Sequence, residues 1–380
     1  SLAPAGVDLT TLRDLRLASG GAIVFRAGDG LDSDRLFLAP PGETASTLAG
    51  GSPGVVEPDF RFLGDFDLGP DGGVAFVGGG SPCEVDTEGS TRCDLHLYVT
   101  DGVAPNEVEV SDNDLTDQNP RSPRAELRAD EVAFFSFRGS GQESTLIRVA
   151  EGAVETLLTV TTEIPGVGRL INPTLDFVDG EDRFLLRAAL GRDQVPRPVT
   201  LGILDLSGSG SYTEIARVRG TFAGESIIAV DALGFAAGRA LYRLTLLRDD
   251  ETRRQALRLF DGTQSVDVAV ELERLGDRAD SIIDLGNAFL NERGEVAFYA
   301  VLGEVEVTPQ GTTTTVRGTA VVVRDLAGSL ATRLPAFEEG SGPLLEPGQL
   351  YGFDDAGTVL AVGSRIDQNA ELLIVVPGEP

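Results

Sequence analysis

The 380-residue chain contains no methionine, no tryptophan and, because all its basic side chains other than one histidine are arginine, no lysine. The single histidine, His96, excludes a two-histidine metal site, and the chain has neither an HExxH motif nor a lysine-bearing phosphate loop. His96 lies in the alternating run DLHLYV, where it reads as part of a strand rather than as a catalytic base. No stretch approaches the ~20 apolar residues that cross a bilayer as a helix. Positive charge is scarce: 31 basic against 60 acidic side chains leave a formal charge of −29. Such a surface repels phosphate backbones and anionic lipid, so nucleic acid is not an expected partner. With no Trp and five Tyr, the chain is also poor in the aromatic platforms on which sugars stack.

Apolar residues make up 41% of the chain, enough to bury a core, and their order shows what kind. A turn ending in Gly, then three residues, then an aromatic residue recurs as Gly21 to Phe25, Gly72 to Phe76, Gly180 to Phe184, Gly238 to Tyr242 and Gly294 to Phe298. Asp130 to Phe134 and Gly357 to Ala361 are variants of the same pattern. The final positions of these seven copies are separated by 51, 58, 50, 58, 56 and 63 residues. Each copy is preceded by a short β-prone segment such as FLGDFDL and followed by an apolar run ending in a turn, for example LYVTDG or LRLFDG. A further β-prone segment follows in six of the seven, giving four strands per repeat.

Seven four-stranded repeats with almost no helical period predict an all-β protein, a seven-bladed β-propeller of antiparallel blades. Residues 1–380 are expected to form one such domain, with repeats near 9–58, 59–119, 120–168, 169–223, 224–278, 279–341 and 342–380. Within it, Phe25, Phe76, Phe134, Phe184, Tyr242 and Phe298 are expected to fill the gaps between blades, and the repeat glycines to take a backbone conformation closed to residues with a Cβ. The last repeat ends after its third strand, so either Leu2 to Val7 supplies the fourth or that edge stays open.

Asn291 to Phe298 reads NERGEVAF. With GPDGGVAF at 69–76 and DDAGTVLA at 354–361 as divergent copies, it resembles the bacterial choice-of-anchor tandem-repeat proteins that carry the NxxGxxAF signature. The resemblance implies an exported, propeller-like repeat protein at the cell surface, in the extracellular space or in the periplasm, with its signal segment removed. It implies no activity. The ending VVPGEP is similar to the sequence that precedes a removable anchor in such proteins.

Few residues carry chemistry. Cys83 and Cys93 bracket the polar loop EVDTEGSTR and suit a local disulfide in an oxidising compartment, with free thiols as the alternative. Asp112, Asn113, Asp114 and Asp117, with Asn119 beside them, gather oxygen donors of the kind Ca²⁺ takes, though without the Gly and terminal Glu of an EF-hand; a solvated turn is the other reading, and no other cofactor is expected. Arg192 and Arg197 mark either an anion-binding loop or a plain exposed one. Residues 77–96 and 302–319 are the long insertions where a regular scaffold places recognition. The expected function is therefore non-enzymatic: an extracellular binding or structural propeller that docks on other surface or extracellular proteins. The rival is a secreted carbohydrate-active enzyme using carboxylates in a central channel.

Overall fold

The computed structural model describes residues 11–18, 21–28, 35–41, 43–50, 62–69, 72–79, 84–85, 91–92, 95–100, 106–108, 121–128, 132–138, 144–159, 162–191, 198–207, 210–276, 279–308, 311–334, 345–365 and 370–376. Among these every regular element is a β-strand, and no helix is present that is long and apolar enough to cross a membrane. The strands form seven sheets and one two-stranded ribbon. The sheets span residues 11–50, 62–108, 121–158, 163–217, 221–270, 281–334 and 345–376, and strands lie side by side in the order in which the chain delivers them.

Four sheets have the expected four strands. The fourth and fifth have five, because a two-residue strand, Glu163–Ile164 or Thr221–Phe222, folds back on the first long strand. In the fifth sheet the tight turn is made by Ala223 and Gly224, both at positive φ (49° and 86°), the geometry a two-residue hairpin demands. The seventh sheet has three described strands, all from 345–376, and the first takes its four from 11–50, so the two terminal sheets share no described strand. Leu2 to Val7 lie outside the described residues.

The chain divides into two compact units: residues 1–180 with 187–197 and 207–211, and residues 181–186 with 198–206 and 212–380. In the first unit, Val74 and Phe76 of the second sheet pack with Val24, Leu36 and Leu48 of the first. Their neighbours Ala75 and Val77 turn the opposite way, against Ala133, Phe135 and Ile147 of the third sheet. Successive side chains on a strand point to opposite faces, so one short apolar run serves two interfaces. The second unit repeats the device. Val296 and Phe298 pack with Leu241, Leu257 and Leu259 of the fifth sheet, while Ala297 packs with Leu350, Val359 and Ala361 of the seventh. The AF pair of the repeat thus sets a large residue toward the preceding sheet and a small one toward the following sheet. The aromatic also stacks on its cross-strand partner: Phe76 on Tyr98 at 5.0 Å between ring centroids, and Phe25 on Phe37 at 5.1 Å.

The turn before the aromatic has a common build. In the first, second, sixth and seventh copies the opening residue donates its N–H to the carbonyl four residues on, and the fourth residue donates back to the opening carbonyl. That fourth residue is Gly21, Gly72, Gly294 or Gly357, all with φ between 80° and 88°, where a Cβ is strained. Asn291 shows why the signature begins with asparagine. Its Oδ1 accepts the N–H of Glu295 at 2.9 Å, and its Nδ2 donates to the carbonyl of Asp354, the equivalent residue of the next copy, at 3.1 Å.

Two copies depart from the expected alignment. In the third sheet Leu127 pairs with Ala133, as Leu68 pairs with Val74 in the second. The place of Phe76 is therefore taken by Phe135, which packs toward the second sheet, and Phe134 alternates to the other face. The matching string VAF drew the alignment one residue off, whereas turn length decides the register. Asp130 itself lies outside the described residues. In the fourth copy the left-handed residue is Asp182 (φ 56°), not Gly180. Four residues beyond Asp182 is Leu186, which takes the position of the repeat aromatic by this count. All six expected aromatics are nonetheless buried, each 0–1% exposed, and so is Phe135.

Truncating Phe298 or Phe135 to alanine is expected to cost about 3–5 kcal/mol, the range for a large buried aromatic. Asn291→Ala is expected to cost about 1–3 kcal/mol by leaving buried backbone groups unpaired. Urea unfolding of each variant measures both; a loss below about 1 kcal/mol at Phe135 would contradict its placement.

Candidate carboxylate site on the first strands

The first strand of each sheet has one edge that its own sheet leaves unpaired, and such an edge needs covering. In this protein side chains of the preceding sheet supply the cover. Asp65 and Asp67 alternate along Phe62–Leu68 in the segment GDFDL. Asp67 Oδ2 accepts the N–H of Leu127 at 2.8 Å and Asp65 Oδ2 that of Ala125 at 3.3 Å, so two carboxylates spaced by two residues meet two amides with the same spacing. Arg124 Nη1 lies 3.6 Å from Asp65 Oδ2. The second unit uses the same principle with other residues. Glu271, 6% exposed, accepts the N–H of Gln255 at 2.5 Å and that of Leu285 at 3.2 Å. Arg243 reaches the carbonyls of Leu285 and Gly286, and Asn287 donates to the carbonyl of Leu350.

Charge accumulates where these contacts cluster. Removal from water pushes Asp67 up to about 6, against the opposing pull of the Leu127 amide and Arg16. Glu126, on Arg121–Leu127, is pushed well above the ordinary carboxylate range, first by burial and then by the charges of Asp67 and Asp65. Arg16, on Thr11–Leu17, offsets part of that and also lies over the ring of Phe66, 5.7 Å from its centroid. Burial likewise pushes Glu271 up to about 7, with neighbouring Asp284 raising it further. A carboxyl that keeps its proton near neutrality beside a carboxylate is an acid–base arrangement. Here, however, Asp65, Asp67 and Glu271 spend carboxylate oxygens on backbone amides. Another inner carboxylate is held by arginine: Asp176, 5% exposed in its side chain, receives a bidentate guanidinium from Arg187 at 2.7–3.2 Å.

Most of the residues singled out from sequence for chemistry lie elsewhere. Asp112, Asn113, Asp114, Asp117 and Asn119, Arg192 and Arg197, and Cys83 and Cys93 are outside the described residues. Between the two cysteines, Glu84 pairs with Arg92 and Val85 with Thr91 in a small antiparallel ribbon. His96 sits on the third strand of the second sheet, its backbone opposite Gly78. Among the described residues no group of three or more His, Cys, Asp or Glu side chains is placed to hold a metal ion. Asp65, Asp67, Glu126 and Glu271 were not foreseen. The alternating acids of GDFDL were the available signal, since charge on a strand between two apolar interfaces has to find partners.

No family model matches the chain, and no curated protein does. The solved structures it resembles include a β-propeller domain and two enzymes, all at very low identity. The β-propeller domain of the Trilobed protease from Pyrococcus furiosus, described as having an open velcro topology, is 12% identical, with a TM-score of 0.56 over 98% of this chain and 97% of that one. A polysaccharide lyase is 10% identical, with a TM-score of 0.52 over 99% and 92%. A puromycin-hydrolyzing peptidase of Mycobacterium tuberculosis is 10% identical with a TM-score of 0.52, and here the match takes in 97% of this chain but only 51% of the peptidase. The fold is thus that of a β-propeller, all-β throughout its described residues.

Carboxyl groups whose values are raised in the folded state hold protons that the unfolded chain releases. The folded protein therefore gains stability as pH falls from about 7 toward 4.5, the interval between the folded and ordinary values of Glu271. Melting temperature is expected to rise between pH 8 and pH 5, and Glu271→Gln to remove part of that slope. Parallel slopes in the two proteins would contradict the assignment.

Proposed function

We propose that this protein is a non-enzymatic, seven-bladed propeller that acts outside the cytoplasm, as a cell-surface component or as a subunit docking on other proteins. The observation that carries this reading is the use to which the inner polar groups are put. Asp65, Asp67 and Glu271 hold the backbone of the next sheet, and a carboxylate fixed on two amides or serving as an edge cap is poorly placed to attack a substrate. The seven sheets support the blade count and a single domain over residues 1–380. The buried hydrogen bond of Asn291 supports the likeness to the NxxGxxAF repeat proteins, because it gives the signature a structural purpose, and with that likeness comes export.

A Cys83–Cys93 disulfide belongs to the same reading. The ribbon pairs Glu84 with Arg92 and Val85 with Thr91, the residues next to the two cysteines in sequence. Alkylation without reductant followed by intact-mass analysis is expected to label neither cysteine. Labelling of both would overturn the disulfide and weaken the extracellular assignment. Calcium at Asp112, Asn113, Asp114 and Asp117 remains a proposal on donor chemistry alone.

One observation favours the rival reading. Burial and the charges of Asp67 and Asp65 push Glu126 well above the ordinary carboxylate range, the direction that suits the acid of a carbohydrate-active enzyme. Incubating the purified protein with a glycan panel, with and without chelator, separates the two. Binding without turnover, or no interaction with glycans at all, is expected. Cleavage that disappears in Glu126→Gln would establish the enzyme instead.

A further inference from the structure

The second and third strands of the sixth sheet, Val296–Thr308 and Gly311–Arg324, outrun their neighbours. They pair continuously from Val296 with Arg324 to Thr308 with Gly311, apart from one bulge whose extra residue is Arg317 on the return strand. The first strand of the sheet accompanies them only as far as Gly303, and the fourth pairs only with Val321 to Arg324. Residues 304–308 and 311–316 therefore form a ribbon that neither flanking strand accompanies, and the outer edge of its return strand is unpaired from 311 to 320 among the described residues. Thr313, Thr314, Thr315, Val316 and Arg317 are all exposed, Val316 by 61%.

An uncovered edge of this length normally carries a device against strand addition: a proline, a lysine, an inward charge or a bulge. The segment GTTTTV has none of these between 311 and 316 and consists almost wholly of β-branched residues. Its two faces differ. Glu304 and Glu306 stand opposite Thr315 and Thr313 on one, while Val305 stands opposite Thr314, next to Val316, on the other. Arg317 pairs with Glu304, and Glu306 has no cationic partner among the described residues.

We propose that this edge is a docking site for an extended segment of another protein, which adds as a further strand along Thr312–Val316. Strand addition satisfies the bare amides and carbonyls, and alternate side chains of the guest read the two faces. The guest carries basic residues on the Glu306 side and apolar residues on the Val305 and Val316 side. A second copy of this chain is a poor occupant, since it brings another −29 charges and its own edge offers only Arg317, already engaged by Glu304. The inference rests on the docking reading of the protein and names where and with what chemistry docking occurs.

The test uses an end-capped peptide of about eight residues alternating Lys and Val, long enough to span the edge. Binding is followed by fluorescence anisotropy at about 0.15 M salt, where diffuse attraction to the acidic surface is screened beyond ~8 Å. The controls are a peptide of the same composition with the lysines in one block, and the alternating peptide N-methylated on alternate amides. The alternating peptide is expected to bind at least about tenfold more tightly than either, a difference that separates strand addition from charge attraction. Thr314→Pro is expected to abolish that preference. Glu306→Lys, which leaves the backbone donors and acceptors in place, is expected to weaken binding about tenfold, and thermal unfolding shows that both variants fold. Equal binding of all three peptides, or no effect of either substitution, would overturn the ribbon as the site. Absence of any peptide binding would do the same yet leave the non-enzymatic reading standing, because that reading is decided by glycan turnover.

Discussion

The second and sixth sheets each have two apolar faces, one packed on the sheet before and one on the sheet after, and a sheet with two apolar faces is stable only with a neighbour on each. That constraint accounts for the continuous apolar run of a second strand such as VAFYAVL at 296–302, which a half-exposed sheet would break with polar residues at every other place. It also accounts for the asymmetry of the AF pair. A large side chain toward one neighbour and a small one toward the other let adjoining sheets interdigitate, as Phe298 and Ala297 do.

The same stacking creates the electrostatics. Bringing the first strands of neighbouring sheets together leaves edges whose amides and carbonyls lose water, and the chain answers with Asp65, Asp67, Glu271, Arg243 and Asn287. Carboxylates are effective caps because one group accepts two amides, as Glu271 does. The burial that makes them useful also removes them from solvent, which is why Asp67, Glu126 and Glu271 hold their protons so far up the pH scale. Raised carboxylates at these places have a structural cause, and that cause weighs against taking them as signs of catalysis.

The repeat, its strand count and its aromatics were legible in the sequence because turn chemistry and apolar period are local. Gly72 and Gly294 announce the turn, and Phe76 and Phe298 announce the buried strand. What was not legible depends on counting residues through a turn or on contacts between repeats. The three-residue match VAF hid the shift from Phe134 to Phe135, and Gly180 hid Asp182, since aspartate also tolerates the left-handed region. Asp65 and Asp67 lie sixty residues from their partner amides, those of Ala125 and Leu127, and no local pattern reports such a pairing. The sixth-sheet hairpin could be read as a long insertion from TTTT alone, but its bare edge follows only from where the flanking strands stop.

Because strands lie side by side in chain order within each sheet, with only the small ribbon at 84–92 intervening in the second, most hydrogen-bonded ladders need only short loops to close. Short closures are entropically cheap and fast, whereas pairing between distant segments slows folding and exposes apolar surface meanwhile. A meander of this kind can therefore zip up from one end while the remainder is still being delivered, each finished sheet offering a ready template face to the next. Such stepwise growth leaves little apolar surface waiting for a partner at any moment.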